Sequence, residues 1–237
     1  MNLSYDIIIF GKNDMKFTGL YETKRQLDSK PFVQKRIIFT IVATMLLLTL
    51  FCTAAMASEL SSDGELFSDK VHNLLAKAER GDAAAQNTLG WHYQQGDGVW
   101  KDVQKAISWY MKAAEQGNTD AQYNLANLYY TGFEVRKDER EAVYWYTKAA
   151  EQGHIEAQYN LANLYYNGFG VEKDETEAAS WFTLAAEQGH AASQYSLGRC
   201  YQFGNGVGKD TQKAISWYTK AAKQGHVQAQ GMLSSLK

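Results

Sequence analysis

The sequence predicts an all-α fold built as an array of repeated helix pairs, and three observations support this prediction. A twelve-residue stretch at 106–117 returns at 142–153, 178–189 and 214–225, always 36 residues later and without insertion or deletion. Apolar residues recur at helical spacing within each copy. Glycine and aspartate recur at fixed places between the helical stretches. A constant period of this size is typical of solenoids, in which each helix pair packs on its neighbours.

Residues 1–57 differ from the array and predict export. The run 37–57 is apolar and uncharged, follows a basic flank and ends in Ala55-Met56-Ala57, a pattern typical of a secretory signal peptide cleaved near Ala57. Because crossing a bilayer takes about 20 residues, the run is also long enough to be an uncleaved inner-membrane anchor. Both alternatives predict that residues 58–237 lie outside the cytoplasm, in the periplasm or secreted. Either Met1 or Met15 could begin the chain.

Charge and cysteine content exclude two classes of protein for the exported part. Residues 1–57 carry 7 of the 24 Lys and Arg residues and 4 of the 26 Asp and Glu residues, so the remainder has a net charge of −5. This balance argues against nucleic acid as a partner, because nucleic acid binding requires a basic surface. Cys52 lies inside the apolar run, which leaves Cys200 as the one exported cysteine. The exported part therefore has no internal disulfide framework and depends on packing.

The chain divides in order into a linker, a capping helix, four full repeats and a closing half-repeat. Residues 58–69 are polar and predict a linker, and residues 70–81 predict a capping helix with Val71, Leu74, Leu75 and Ala78 on its apolar side. The full repeats span 82–226, as 82–118, 119–154, 155–190 and 191–226. Residues 227–237 begin a fifth repeat and stop, which predicts a cap for the apolar end of the array.

The second repeat illustrates the first helix of each pair. Residues 120–130 predict a helix whose buried face carries Ala121, Leu125, Leu128 and Tyr129. Gly132 ends this helix, and the pattern predicts that Val135 fills the turn.

The second helix of the pair has predicted signals at both ends. Asp138 predicts the N-cap, and Glu141 three residues later completes a capping-box pattern. Gly153 predicts a left-handed residue just after the helix. The predicted buried stripe consists of Ala142, Trp145, Tyr146, Ala149 and Ala150. Four tryptophans at the same repeat position predict side chains that fill the gaps between layers: Trp109, Trp145, Trp181 and Trp217.

Three motifs make residues 82–226 resemble Sel-1-like repeats, which are relatives of the tetratricopeptide repeat. They are the A-x-x-L-(G/A)-x-x-Y helix, as at 121–129, the Gly-x-Gly-Val turn at 96–99, 168–171 and 204–207, and the ending K-A-A-E-Q-G. The resemblance implies a right-handed α-solenoid that acts as an adaptor or scaffold, often in bacterial envelopes or in contact with a host. Glu134 departs from the turn motif, because the other repeats have glycine there. If this position requires a positive φ, the second turn is strained or built differently.

The resemblance also implies that the first helices line the concave side of the solenoid, where equivalent positions form ladders about 10 Å apart. Tyrosine and asparagine in such ladders suit an extended peptide, since tyrosine offers contact area and asparagine bonds the backbone. Arg199 could hold a carboxylate through two hydrogen bonds. Some of these tyrosines could instead pack between neighbouring helices. The predicted groove residues are Tyr123, Asn127, Tyr130, Tyr159, Asn163, Tyr166, Tyr195 and Arg199.

The sequence predicts neither a metal site, a cofactor nor catalysis. His154, His190 and His226 recur every 36 residues, and a spacing near 10 Å prevents them from sharing one zinc ion, so structural roles are expected. His92 and Cys200 replace leucines and are expected in the core. The metalloprotease, serine hydrolase and phosphate-loop motifs are absent.

The predicted function is therefore a non-catalytic scaffold of the bacterial envelope that binds a protein or peptide in the concave groove. One alternative is a secreted virulence-type factor that acts on host proteins. Another is an envelope enzyme or β-lactam-binding protein, as the resemblance suggests for disulfide-rich relatives, whose cysteines this chain lacks. The prediction includes no nucleic acid partner, and a membrane contact only through residues 37–57 if they are uncleaved.

Overall fold

The computed structural model describes residues 69–236, which form ten α-helices joined by short turns. The leader 1–57, and the linker 58–69 apart from Asp69, lie outside these residues, so the predictions of a signal peptide and an anchor stay predictions. No helix within the described part is long and apolar enough to span a membrane. The helices are α1 (Asp69–Glu79), α2 (Ala83–Gln95), α3 (Val103–Glu115), α4 (Thr119–Thr131), α5 (Glu139–Glu151), α6 (Ile155–Asn167), α7 (Glu175–Glu187), α8 (Ala191–Phe203), α9 (Thr211–Lys223) and α10 (Val227–Ser235).

Each helix packs against the next one in the chain, which confirms the predicted all-α solenoid of helix pairs. The even-numbered helices α2, α4, α6 and α8 are the first helices of the four repeats, and α3, α5, α7 and α9 are the second helices. α1 contacts α2, and α10 contacts α9, so a single helix covers each end of the array.

Side-chain caps fix where the helices begin. Asp138 accepts hydrogen bonds from the backbone N–H groups of Arg140 and Glu141 at the start of α5, as predicted. The predicted reciprocal half of the capping box is wrong: the N–H of Asp138 donates to the carbonyl of Tyr129 and not to the Glu141 carboxylate. The four first helices and α10 are capped by another ladder of acceptors, whose members are Asp82, Asn118, His154, His190 and His226.

A left-handed glycine follows each second helix, as predicted. Gly153 has φ +88, and its N–H bonds to the carbonyl of Ala150 while the N–H of His154 reaches Ala149. These two bonds form a Schellman motif, which satisfies carbonyls that the helix end would leave open. Open space surrounds the position of a Cβ at Gly153, so only the backbone conformation requires glycine there.

The core consists mainly of alanine and leucine side chains, with at least one buried aromatic ring in every repeat. All five residues of the predicted stripe in α5 are buried. In α4, Tyr129 is only half-buried, because the buried face contains Gln122 and Ala126 instead. The four tryptophans pack to different depths: Trp145 is 7% exposed, whereas Trp109, Trp181 and Trp217 are half-buried and pack against the core. The residue after each tryptophan fills the gap between layers, because it faces the first helix directly; these residues are Tyr110, Tyr146, Phe182 and Tyr218.

A row of buried glutamines, which sequence inspection misses, ties three successive helices together in every repeat. Gln122 of α4 is 4% exposed; its Nε2 donates to the carbonyl of Ala114 at 3.0 Å, and its Oε1 accepts from Gln152 Nε2 at 2.7 Å. A buried amide is stable only when hydrogen-bonded, and these bonds satisfy it on both sides. The same pairing recurs at Gln86 with Gln116, Gln158 with Gln188, and Gln194 with Gln224.

Glu134 does occupy a left-handed position, with φ +60, where Gly98, Gly170 and Gly206 have φ between +69 and +72. The second turn is also built differently. In the other turns the residue after the capping glycine donates its N–H to the last helical turn, as Phe169 does to Leu164 at 3.0 Å, and no such bond forms in the second turn. The carboxylate of Glu134 instead pairs with Lys101 at 2.8 Å.

Candidate functional site

The two sets of helices differ sharply in charge. Among all Asp, Glu, Lys and Arg residues, the first helices and α10 contain only Asp120, Glu156 and Arg199, whereas the four second helices contain fourteen. Asp120 and Glu156 lie in first turns beside His154, at 3.7 Å and 3.4 Å from its ring nitrogens. The first helices themselves are therefore polar and nearly uncharged, with Arg199 as their one permanent cation in the described part of the chain.

The first predicted ladder, Tyr123, Tyr159 and Tyr195, is largely used for packing. The Tyr123 ring stacks on His154, with centroids 4.4 Å apart, and the Tyr195 ring stacks on His226 at 4.7 Å. Tyr159 meets the His190 ring edge-on at 4.9 Å. Each tyrosine thus supports the histidine that caps the next first helix, which gives these histidines their structural role.

The second predicted ladder is Asn127, Asn163 and Arg199, and its members have different partners. Asn127 Oδ1 accepts a hydrogen bond from the hydroxyl of buried Tyr146. Asn163 Nδ2 donates to the backbone carbonyl of Tyr159 at 2.9 Å. Arg199 is exposed and forms no ion pair with any carboxylate between residues 69 and 236.

The third predicted ladder contains Tyr130 and Tyr166, with glutamines in the outer repeats. Gln94 and Gln202 each accept a hydrogen bond from a buried tyrosine hydroxyl on the second helix, at 2.8 and 2.6 Å. Tyr166 accepts from Asn205 Nδ2 at 2.8 Å. Lys137 lies 5.5 Å from the ring centroid of Tyr130, in cation–π range.

Three clefts follow one another between adjacent first helices. The cleft between α2 and α4 has a volume of about 570 Å³ and includes Gln94, Asn127, Thr131 and Phe133. The next, between α4 and α6, has about 240 Å³ and is lined by Tyr130, Tyr146, Tyr159, Asn160, Asn163, Leu164 and Asn167. The third, between α6 and α8, has about 50 Å³ and is lined by Asn163, Tyr166, Phe182, Ser196, Arg199, Cys200 and Asn205.

The structure thus brings six of the eight predicted residues to these clefts and leaves Tyr123 and Tyr195 outside their linings. Sequence inspection missed Asn160, Asn167 and Ser196. Asn160 and Asn167 lie three residues before and four residues after Asn163, so helical spacing could have identified them. Asn205 comes from the turn after α8, and no local pattern indicates its position.

The buried hydroxyl and thiol groups near the clefts are poor nucleophiles. Burial raises the pKa of Cys200 to about 11 and that of Tyr218 to about 12. Both groups are therefore protonated at neutral pH, whereas nucleophilic catalysis needs an activated group. Residues 69–236 contain no cluster of three or more His, Cys, Asp or Glu side chains with metal-binding geometry. The arrangement suits hydrogen bonding to a ligand.

Comparisons with known proteins agree on one family. The model of the Sel1 repeat matches residues 83–118, 119–154, 155–190 and 191–226. A protective antigen present in uropathogenic Escherichia coli strains, which displays an SLR fold, is 46% identical with a TM-score of 0.65. The match covers 67% of this chain but only 34% of that protein, so this chain spans about a third of its length.

A Sel1 repeat protein from Oxalobacter formigenes is 35% identical over 71% of this chain and 73% of its own length, with a TM-score of 0.63. No protein among curated sequences gives a significant match. The family model covers all four helix pairs that the structure shows, including the residues that line the three clefts. The chain therefore belongs to the Sel1 repeat family.

Proposed function

We propose that this protein is a non-catalytic interaction scaffold of the bacterial envelope that binds a peptide or protein along its first helices. Sel1 repeat proteins typically serve as protein–protein interaction scaffolds and are generally not enzymes. The observation that carries the proposal is the contrast in charge between the two sets of helices. A row of clefts lined mainly by uncharged polar side chains offers hydrogen bonds to a peptide backbone, and Arg199 adds one positive charge in the third cleft.

The proposed contact residues are the six predicted groove residues that line the clefts. Tyr130, Tyr159 and Asn163 line the middle cleft, and Tyr166 and Arg199 line the third together with Asn163. Asn127 contributes to the first cleft while it holds the Tyr146 hydroxyl. Tyr123 and Tyr195 support the fold through their histidine contacts.

Export to the envelope is part of the proposal and depends on the apolar run 37–57 of the sequence. Fractionation of cells into cytoplasm, periplasm, inner membrane and medium tests it. Tagged full-length chain in the periplasm or inner membrane supports the envelope role, and chain confined to the cytoplasm would contradict it.

Site-specific photo-crosslinking tests the binding face. A photoreactive amino acid replaces Ser196, which lines the third cleft, in one full-length variant, and Ser216, exposed on the second helix α9, in the matched control. We expect a partner adduct from position 196 that disappears in an Asn163→Ala, Arg199→Ala background, with none from position 216. Equal adducts from both positions, or an adduct only from position 216, would move the binding surface away from the first helices.

A secreted factor that acts on host proteins is a second candidate. It is favoured by the 46% identity to a protective antigen of uropathogenic Escherichia coli, a similarity that covers 67% of this chain. The same fractionation separates the two candidates: accumulation in the culture medium favours the secreted factor, and retention in the envelope favours the scaffold.

A further inference from the structure

The third repeat lacks a hydroxyl group that the other three repeats share. In those repeats the buried tyrosine of the second helix donates to a first-helix side chain: Tyr110 to Gln94, Tyr146 to Asn127, and Tyr218 to Gln202. Phe182 occupies the equivalent position in α7, and it is 3% exposed. The side chains that a tyrosine at this position would reach, by the same sequence offsets, are Asn163 and Tyr166.

Both of these side chains line the third cleft together with Phe182. Its volume of about 50 Å³ exceeds the ~10–15 Å³ that a single water molecule needs, so it accommodates a small planar group and not a whole large side chain. The missing hydroxyl thus leaves a small cavity where the neighbouring repeats have a tyrosine–amide hydrogen bond.

Three of the polar side chains around this cleft can donate to a ligand, whereas Asn163 and Asn205 already donate to Tyr159 and Tyr166. Arg199 supplies guanidinium N–H groups, and Ser196 supplies a hydroxyl. Tyr166 already accepts from Asn205, so its own O–H is available to a ligand. Glu175 interacts electrostatically with the neighbouring Cys200, but its carboxylate is held by Lys173 at 2.8 Å. A guanidinium and two hydroxyls around one small cleft match a carboxylate in both charge and hydrogen bonding.

We infer that the cleft formed by Asn163, Tyr166, Phe182, Ser196 and Arg199 binds a carboxylate of the peptide that the first helices hold. The inference rests on the proposed function, since it assigns the chemistry of one end of the bound peptide. The carboxylate belongs either to the peptide's C-terminus or to an Asp or Glu side chain.

The other end of the groove defines a second feature of the same ligand. Phe133 is 62% exposed and lines the first cleft, and Trp91, at the ladder position of Asn127, is 46% exposed. Two helix spacings of about 10 Å separate the first and third clefts, which is about six residues of extended chain at ~3.3 Å each. The ligand is thus a peptide with an apolar side chain about six residues away from its carboxylate.

Binding of three pools of fluorescent dodecapeptides to the full-length chain tests this inference. The peptides are random in sequence except for the C-terminal groups and fixed residues given below. The first pool has a free C-terminal carboxylate and no Asp or Glu. The second is C-terminally amidated with one fixed Glu. The third is amidated with Gln in place of that Glu. We expect the wild-type chain to retain the first or the second pool about tenfold more than the third, which is the size of a charge-assisted hydrogen bond.

Variants assign the preference to the cleft. Arg199→Gln should abolish it while peptides still bind weakly, Arg199→Lys should keep part of it, and Phe182→Tyr should reduce it by filling the cleft. Lys213→Gln, which removes an exposed cation from the second helix α9, is the matched control and should change nothing. Thermal melts show that each variant is folded.

The other possible results would overturn either the carboxylate inference or the proposed peptide-binding function. Equal retention of all three pools by the wild-type chain would overturn the carboxylate inference and leave groove binding in place. A preference for the carboxylate pools that persists in the Arg199→Gln variant would also overturn the carboxylate inference. Retention of no pool by a folded wild-type chain would overturn the proposed peptide-binding function itself, and the inference with it.

Discussion

The second and third repeats contain nearly the same first helix but use it differently. Residues 121–132 and 157–168 differ only at Thr131 and Asn167. Asn127 nevertheless holds a buried tyrosine hydroxyl, whereas the equivalent Asn163 bonds to its own helix and lines two clefts. The cause lies on the facing helix, where Tyr146 is replaced by Phe182. A residue in a repeat protein is therefore structural or available for binding according to its neighbour, even when its own helix is unchanged.

The turns of the two repeats differ as well. Glu134 carries a side chain in a left-handed conformation, whereas Gly170 occupies the same position in the third repeat. A Cβ at Gly170 would lie 2.3 Å from the backbone oxygen of Glu139, so the third turn packs against the preceding repeat without room for a side chain. Within one fold, the second turn tolerates a side chain and the third turn does not.

The largest expected effect tests this difference between the turns. Gly170→Ala should lower the free energy of unfolding by more than about 2 kcal/mol, because it adds steric overlap with backbone to the conformational strain. Gly153→Ala, where φ is +88 and the surrounding space is open, is the matched control and should cost only about 1 kcal/mol. Urea denaturation of both variants gives the comparison, and equal losses would show that the close approach at Gly170 has no energetic weight.

The next prediction concerns the two asparagines. Asn127→Ala should destabilise the chain by about 1 kcal/mol, since it removes the acceptor of a buried hydroxyl. Asn163→Ala should change stability by less than about 0.5 kcal/mol, because its bond to the Tyr159 carbonyl lies within one helix. The denaturation midpoints of the two variants test this prediction. A larger loss of stability in Asn163→Ala than in Asn127→Ala would reverse the assignment of structural and binding roles.

A converse substitution should make the third repeat resemble the second. Phe182→Tyr is expected to place a hydroxyl beside Asn163 and Tyr166 and to stabilise the chain by about 0.5–1 kcal/mol. Tyr146→Phe is the mirror control and should destabilise it by a similar amount. A destabilised Phe182→Tyr variant would mean that the cleft cannot take the hydroxyl.

The smallest expected effect is a pH dependence of stability that arises from His190, the N-cap of α8. Burial lowers the pKa of His190, an effect that the positive charge of His226 increases and Glu156 opposes. The Nδ1 atom of His190 accepts from the N–H of Ser193 at 3.3 Å, and protonation removes that acceptor.

Since the unfolded chain binds the proton at higher pH than the folded chain, this residue's contribution to stability is present above about pH 6.5 and is lost as the pH falls below it. His190→Asn should weaken this loss, because Asn118 caps α4 in the same way without titrating. The control is His72→Asn at an exposed position of α1. A melting temperature that falls equally between pH 8 and pH 5 in the His190→Asn variant and in the wild-type chain would contradict the assignment.

Local rules predicted the features that depend on neighbours in sequence. The Asp138 cap, the left-handed Gly153 and the buried stripe of α5 each depend on residues within one or two helical turns. The pairing of Tyr146 with Asn127 joins residues 19 apart, and that of Gln122 with Gln152 joins residues 30 apart, so neither has a local signal. The histidines were expected to have structural roles, but their role as caps required the orientation of the ring. The replacement of tyrosine by Phe182 is visible when the repeats are aligned in sequence, but the cleft that it leaves beside Arg199 depends on how α6, α7 and α8 are arranged in space.

The row of buried glutamines has a consequence for how such a chain can change in length. Gln122 donates to a main-chain oxygen of the previous repeat and accepts from a glutamine that every repeat supplies. Duplication or loss of one whole 36-residue unit would recreate all of these bonds at the new junction, whereas loss of part of a unit would leave a buried amide unsatisfied. Recombination between copies of the repeat can therefore lengthen or shorten the binding surface in whole steps and keep the fold.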